Sequence, residues 1–426
     1  MCKNYFEFIV MMKLGKYSFG LGDRFALQGR AQLQAILKAE KLGVDITPVW
    51  NKSHREHTII GTEPADVRAE ADEAVKSLNF KNSYFVDADH INLKNVDLFI
   101  DSSDFFTIDV ADYIGQSACD KDIETFVKKY SKYIGRLDIP NIDEPVSVTQ
   151  EKIGAIAKKF LLAVKEAGKI YRRIEKLKGR GNFIAEISMD ESDQPQTPVE
   201  LLFILAAIAD ERIPVQTIAP KFTGRFNKGV DYAGDISQFE MQFNDDLAII
   251  AFAVREFDLP ANLKLSIHSG SDKFSIYKPI NKALKKFNAG LHLKTAGTTW
   301  LEELIGMAAS NSKGLALAKD IYVRALMRID ELCEPYRTVI DIDIKKLPLV
   351  KVVQNWSSDD YVNALRHDLS CRDYNPNLRQ LLHVGYKIAA ETGNIYLDTV
   401  RENEKIIAEH VTKNIFDRHI KSLFIN

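Results

Sequence analysis

The stretch LKLSIHSGSDKFS, residues 263–275, reads as a short strand that ends on His268, a turn of small residues, and the start of a helix at residues 272–275. Alternation sets Leu263, Leu265 and Ile267 on one face and Lys264, Ser266 and His268 on the other, so the histidine lies on the polar face. Strand ends that hand over to helix N-termini are where ligands and chemistry collect in α/β proteins. Two further stretches end in the same way, YFVDADH (84–90) and LHLKTAGTTW (291–300). Working outward from these, apolar runs bounded by turn residues also occur at 16–23, 45–51, 105–111, 182–190 and 213–220. With residues 83–89, 263–269 and 290–296 they make eight strand signals. Helical spacing fills most intervals: 26–42, with Gly43 as its stop, then 195–210, 237–257 and 275–287.

Eight β-then-α units predict an α/β fold, a (β/α)8 TIM-type barrel rather than an open sheet. Residues 120–180 break the rhythm; they are long, charged and helical, and read as one barrel helix plus a helical insertion. Everything after Trp300 reads as helix to about Phe416. The expected division is a catalytic barrel at 1–300 and a C-terminal helical region at 301–426, packed on the barrel or making a homo-oligomer contact.

Composition narrows the function classes. Lysine plus arginine (57) nearly balances aspartate plus glutamate (59), which gives no electrostatic case for a nucleic-acid partner. Cys2, Cys119, Cys333 and Cys371 form no CxxC pair and read as free thiols in a reducing compartment. The opening run MCKNYFEFIVMM, with Glu7 inside it, is too short to span a membrane and lacks the layout of a secretory signal. A cytoplasmic location with no membrane partner is expected. GxGxxG, Walker A and GxSxG are absent, so neither a nucleotide cofactor nor serine hydrolase chemistry has support.

Polar residues at barrel strand C-termini read as the active site. They are Asp23 and Arg24; Asn51 and Lys52; Asp87, Asp89 and His90; Asp109 and Asp112; Glu186, Asp190 and Glu191; Lys221; His268, Ser269 and Ser271; and Lys294 and Thr295. Two histidines and a carboxylate from different strand ends suit a divalent metal: zinc, manganese, nickel or iron. His90 stands beside Asp87 and Asp89, although such aspartates also cap helices. His268 precedes a Ser-Gly-Ser-Asp turn that leaves the next helix N-terminus free to hold an anion. Either Glu186 or Glu191 could supply the carboxylate; Glu191 is favoured because it lies nearer the strand end. The plainer reading of any one of these histidines is a hydrogen-bonded structural residue. His292 reads as barrel interior, His383 as packed on a helix, His54 and His57 as a pair or a solvated loop, and His367, His410 and His419 as surface positions.

Lys294 has two readings, a Schiff-base nucleophile whose pKa burial depresses or a charge partner for a substrate carboxylate. Arg24, Lys52 and Lys221, with the Ser269 and Ser271 hydroxyls, complete a mouth suited to a small acidic substrate.

The blocks KYSFGLGDRFALQGRAQL, TPVWNKSHREH, YFVDADHI, FTIDVAD, ISMDESDQPQTP, KGVDYAGD, IHSGSDKFSIY and LHLKTAGTTWLE resemble the tagaturonate epimerase family of bacterial hexuronate catabolism. They span residues 16–302, and NPNLRQLLHVGYKIAAE carries the likeness into the C-terminal region. The resemblance implies a metal-dependent barrel enzyme that interconverts tagaturonate and fructuronate. The cofactor it implies is a divalent metal (zinc, manganese or nickel), with His90, Glu191 and His268 matched to the ligands. The two sugar acids differ at the third carbon from the carboxylate, β to the ketone, where simple enolisation does not acidify the hydrogen. Retro-aldol cleavage and re-addition is the expected route, with Asp89 moving the hydroxyl proton and Arg24 and Lys294 holding the carboxylate. The rivals are a metal-dependent ketose isomerase or class II-type aldolase, and a non-catalytic sugar-acid-binding protein.

Overall fold

All eight strand signals enter one closed parallel barrel. A computed structural model of the chain describes residues 11–295 and 297–425. The opening run as far as Val10, with Cys2 and Glu7, and Ala296 at the end of the last strand signal lie outside these residues. The strands are β1 Tyr17–Gly22, β2 Ile46–Ser53, β3 Phe85–Ile91, β4 Phe105–Asp109, β5 Gly135–Leu137, β6 Val146–Val148, β7 Ile184–Ser188, β8 Thr217–Ala219, β9 Lys264–Ile267 and β10 Leu291–Lys294. The barrel runs β1-β10-β9-β8-β7-β4-β3-β2 and closes by pairing β1 with β2. The pair β5 and β6 forms a separate antiparallel ribbon.

Alternation along the strands sorts the side chains into two environments. Phe19, Leu21, Trp50, Val86, Phe106, Ile108, Ile187, Leu265, Ile267 and Leu293 face outward into the main core beneath the helices. Leu14, Val49, Phe85, Phe105 and Ile184 make a small separate cluster inside the barrel. Four of these, all but Val49, open their strands or precede them, so the interior has an apolar floor. Above it the inward positions are Asp87, Thr107, Glu186, Ser266 and Lys294, all buried. The site is thus built on the last inward layers of the same strands whose first layers supply the packing.

Several boundaries differ from the expected ones, for local reasons. The first barrel helix is Gly29–Glu40. The Asp23 carboxylate accepts the backbone N–H groups of Phe25, Ala26, Leu27 and Gln28 at 2.6–3.1 Å and folds the preceding residues into a tight turn. Gly43 follows its end with φ 79°, the left-handed conformation for which glycine has no steric penalty. The fifth-strand helix begins at Pro198, behind a Thr197–Glu200 capping box. The insertion is not purely helical: the ribbon β5–β6 separates helix Asp120–Tyr130 from helix Gln150–Lys178. Three-residue strands are too short to show a period of two.

The expected division at residue 300 falls inside helix Thr298–Ser310, which is buried along nearly its whole length. Trp300 Nε1 donates to the carbonyl of Leu382 at 2.7 Å, so barrel and C-terminal helices share packing. His367 and His419, expected at the surface, are buried, and His410 is half-buried beside Arg366. His419 accepts the backbone N–H of Asp272 at 3.0 Å. Helical periodicity shows which face of a helix is polar, not which other element will cover it. Among the described residues no helix is long and apolar enough to cross a membrane, and Cys119, Cys333 and Cys371 are free.

Lys264 shows what an inward lysine costs at the other end of the barrel. Its Nζ donates to the carbonyls of Gly15 and Lys16. Burial pushes its pKa down to about 7 against the pull of Glu186. An unfolded lysine titrates near pH ~10.4. Between these values the unfolded chain binds more protons, so this residue makes stability rise with pH from about 7 towards 10. Urea unfolding at pH 7 and pH 9 should show that rise in the native chain and a flatter dependence in Lys264→Met. Equal slopes in the two proteins would refute the assignment.

Candidate active site

A cavity of about 730 Å³ opens at the C-terminal end of the barrel, with His90, Asp190 and His268 in its lining. His90 lies in β3 where the register with β4 shifts between Ala88 and Ile91, and it has φ 51°. A bulge of this kind re-aims a side chain, and the left-handed backbone costs a non-glycine residue about 1–3 kcal/mol. His90 Nδ1 bonds Asp109 Oδ2 at 2.9 Å, which fixes the ring. His268 follows β9, with Nε2 2.7 Å from Glu186 Oε1 and Nδ1 3.1 Å from Asp190 Oδ1. The two imidazoles meet edge-on with centroids 5.1 Å apart. One donor atom from each of His90, Asp190 and His268 lies within 4.8 Å of the others.

Electrostatics bind this group tightly. Burial works against a charge on His90, but Asp89 and the bond to Asp109 outweigh it and raise its pKa to about 10. For His268 burial and Lys294 oppose the charge, while Asp190 and Glu186 bring it up to about 9. Asp190 is drawn well below the carboxylate range; burial opposes this, and His268 supplies the largest pull.

Below the histidines sits a buried ammonium among carboxylates. Lys294 Nζ lies 2.6 Å from Asp87 Oδ2, 2.6 Å from Asp89 Oδ1 and 3.3 Å from Glu186 Oε1, and donates to Thr107 Oγ1 at 2.5 Å. Gly20, opposite Lys294 in the register, leaves room for it: a Cβ there would stand 2.9 Å from Lys294 Cα. Burial does act to lower the Lys294 pKa, but Asp87, Asp89 and Glu186 outweigh it and hold it well above the usual lysine range. The three carboxylates around Nζ favour the ammonium form and so oppose the Schiff-base reading, since a nucleophilic amine must be neutral. Burial, with Asp89 and Glu186 behind it, pushes Asp87 up to about 7 despite Lys294, whereas Asp89 is pulled well below its ordinary value.

A family model described as UxaE, tagaturonate epimerase, matches residues 1–423. The chain belongs to the tagaturonate epimerase family. It is an isomerase of the epimerase type. A tagaturonate/fructuronate epimerase of Thermotoga maritima is 27% identical over 442 residues, covering 99% of this chain and 84% of that protein. Two solved structures of a fructuronate-tagaturonate epimerase from Cohnella laeviribosi, with one and two glycerol molecules, are similar in fold. Each is 24% identical, with TM-scores of 0.78 and 0.79; they cover 96% and 98% of this chain, and 81% and 84% of their own.

The residues present fit a divalent metal. Two imidazoles and a carboxylate converge from three strand ends, and each imidazole has its other nitrogen on a further carboxylate, Asp109 or Glu186, the arrangement that orients metal-binding histidines. Among the candidates read from sequence, His90 and His268 come together here. Glu191 lines the cavity but stands outside the three-donor group, whose carboxylate is Asp190. Glu186 serves as the outer partner of His268. The signal for Asp190 was the period of two: Glu186 and Ser188 share the inward face of β7, and Asp190 carries that alternation into the turn that follows, with Glu191 one residue further on.

Other candidates divide by position. Arg24, Asp89, Lys221, Ser269 and Lys294 line the cavity. Lys52 is buried with its Nζ on the Arg24 carbonyl, and Ser271 is buried with its carbonyl accepting from Lys273, so neither reaches the lining. The helix N-terminus after His268 is not free for an anion. Helix Phe274–Phe287 begins under the Asp231 carboxylate, which accepts the Ser275 N–H at 3.2 Å and its hydroxyl at 2.9 Å. His57 is buried against Phe99 and Thr62, whereas His54 is exposed at the rim, so the two make no pair. The C-terminal region adds residues that strand reasoning could not reach. Tyr336 lines the cavity and its hydroxyl meets Tyr386 at 2.9 Å; the Tyr386 ring lies 4.6 Å from the Arg24 guanidinium.

Proposed function

We propose that this chain interconverts tagaturonate and fructuronate with a divalent metal held by His90, Asp190 and His268. The observation that carries the reading is the convergence of those donors on a cavity floored by the Lys294 network, in a chain of this family. The relative from Thermotoga maritima is named for the same pair of sugar acids. When bound, the metal supplies Lewis-acid polarisation of substrate oxygens and favours negative charge on the ketone fragment.

The chain's own residues supply the rest. Asp89, ionised and on the cavity wall, takes the proton of the hydroxyl on the third carbon. The bond between the third and fourth carbons breaks, its electron pair passing into the ketone to give an enediolate, while the third carbon becomes an aldehyde. The aldehyde turns about the bond to its neighbouring carbon. The enediolate carbon then attacks the other face, and Asp89 returns the proton to the new alkoxide. Lys294 anchors Asp89 through both steps and holds it ionised before the first, ready to accept the proton. Arg24, stacked on Tyr386, contributes positive charge at the mouth.

The test is proton NMR of metal-reconstituted protein with fructuronate. Tagaturonate should appear, and a chelator should abolish it until zinc, manganese or nickel is restored. No conversion with any of these metals would overturn the substrate assignment. Accumulation of the two three-carbon fragments would instead favour an aldolase.

A further inference from the structure

We infer that Lys228 is the cation that grips the substrate's carboxylate and makes this site prefer sugar acids to neutral ketoses. The inference rests on the function just proposed, because re-addition requires an anchor away from the reacting carbons. While the aldehyde turns, the carboxylate must stay fixed, and the group that fixes it must not be engaged in moving the proton.

The cavity has several cations, and their existing partners separate them. Lys294 is consumed by three carboxylates. Arg24 pairs with Glu56, and Arg225 pairs with Asp341 at an exposed edge. Lys221 turns its Nζ onto the carbonyl of Ser192. Arg55 is exposed, with its guanidinium over the Tyr336 ring. Lys228 lies inside the lining, and among the described residues no carboxylate comes within 4 Å of its Nζ. The Nζ donates to Ser269 Oγ at 2.6 Å, directly beside His268. Ser269 itself sits at φ 49°. One of three N–H groups is thus spent, and two remain for a carboxylate.

The backbone under Lys228 is clamped from three sides. Its N–H donates to the Val339 carbonyl at 2.8 Å. The Gly229 carbonyl accepts from Arg379 Nε at 2.6 Å, and the Asn227 and Val230 carbonyls accept from Lys273 Nζ at 2.9 and 2.7 Å. Arg379 and Lys273 are both buried. Gly229 has φ 74°, and a Cβ there would press on His383 at 3.2 Å. Two buried cations and a loop of the C-terminal region therefore hold one four-residue segment, so the Lys228 stem starts from a fixed point. Preorganisation of this kind is what a binding cation needs and a solvated surface lysine lacks.

The test compares gluconate with sorbitol, an unreactive acid and its neutral counterpart, by calorimetric titration of the metal-loaded protein. The native chain should bind gluconate the more tightly. Lys228→Met should weaken gluconate about ten- to a hundredfold, the scale of a hydrogen bond to a charged group, and sorbitol far less. Lys228→Arg should recover most of the preference. If Lys228→Met keeps the native gluconate-to-sorbitol ratio, whether both affinities hold or both fall together, the assignment is wrong. The ratio is read without turnover. A native chain that binds gluconate selectively but converts no hexuronate therefore counts against the proposed function and leaves this assignment intact.

Discussion

Asp190→Ala should strip the divalent metal and lower turnover on the order of a thousandfold, whereas Glu191→Ala should retain the metal and cost less than about tenfold. A bound metal supplies several kcal/mol of charge stabilisation at the transition state, which converts to about that factor in rate. Asp190 is one of three converging donors, and its loss leaves His90 and His268 without the carboxylate between them. Glu191 shares the cavity wall but not the donor group. The pair of variants separates the ligand expected from strand-end position from the one proposed from the convergence of donors. Metal content by mass spectrometry and initial rates on fructuronate are the measurements. Equal loss in both variants would mean that the loop after β7 rearranges on metal binding and brings Glu191 in.

Lys294→Met should destabilise the metal-free protein by about 3–5 kcal/mol, the cost of leaving buried charge without its partner. The substitution keeps the length of the stem and removes the ammonium that Asp87, Asp89 and Glu186 surround. These carboxylates can escape the penalty only by taking protons, so the loss should shrink as pH falls. Asp87, already held up to about 7, should be the first to neutralise. Adding Asp87→Asn should restore part of the stability, a coupling that a purely steric role would not show. Urea unfolding at pH 8 and pH 6 measures all three proteins. A loss below about 1 kcal/mol at pH 8 would show that water reaches the cluster and compensates the charges. Turnover should fall as well, because Asp89 loses the cation that keeps it ionised and in place.

Much of this was legible along the chain because a barrel strand is a local object. Each of the eight strands is short, alternates, and ends in residues that announce a turn, and those features need no knowledge of the rest of the chain. His90, His268 and Lys294 stood out for that reason: each lies at or next to the end of such a strand. The blocks from residue 16 to residue 302 also placed the chain beside its family, and the family model spans that region and more.

What remained undecided were matters of which side chains meet. The choice between Glu186 and Glu191, and the presence of Asp190 beside the two histidines in their stead, depended on how β7 and β9 are offset around the closed barrel, a matter that no single strand contains. The state of Lys294 depended on three carboxylates from two other strands, whose attraction reverses the effect that burial alone would have. His367 and His419 were misplaced because their partner, Asp272, lies far away in sequence on the turn after His268. Within KGVDYAGD, Lys228 carries no role that can be read along the chain, because a lone lysine in a loop has no periodic signal; its meaning comes from Lys273, Arg379 and Val339, which fix the backbone beneath it. Alternation and turn chemistry, which act over a few residues, determined the barrel and the mouth at which chemistry occurs. Charge pairing and donor convergence act through space between distant residues, and only the closed tertiary structure decided them.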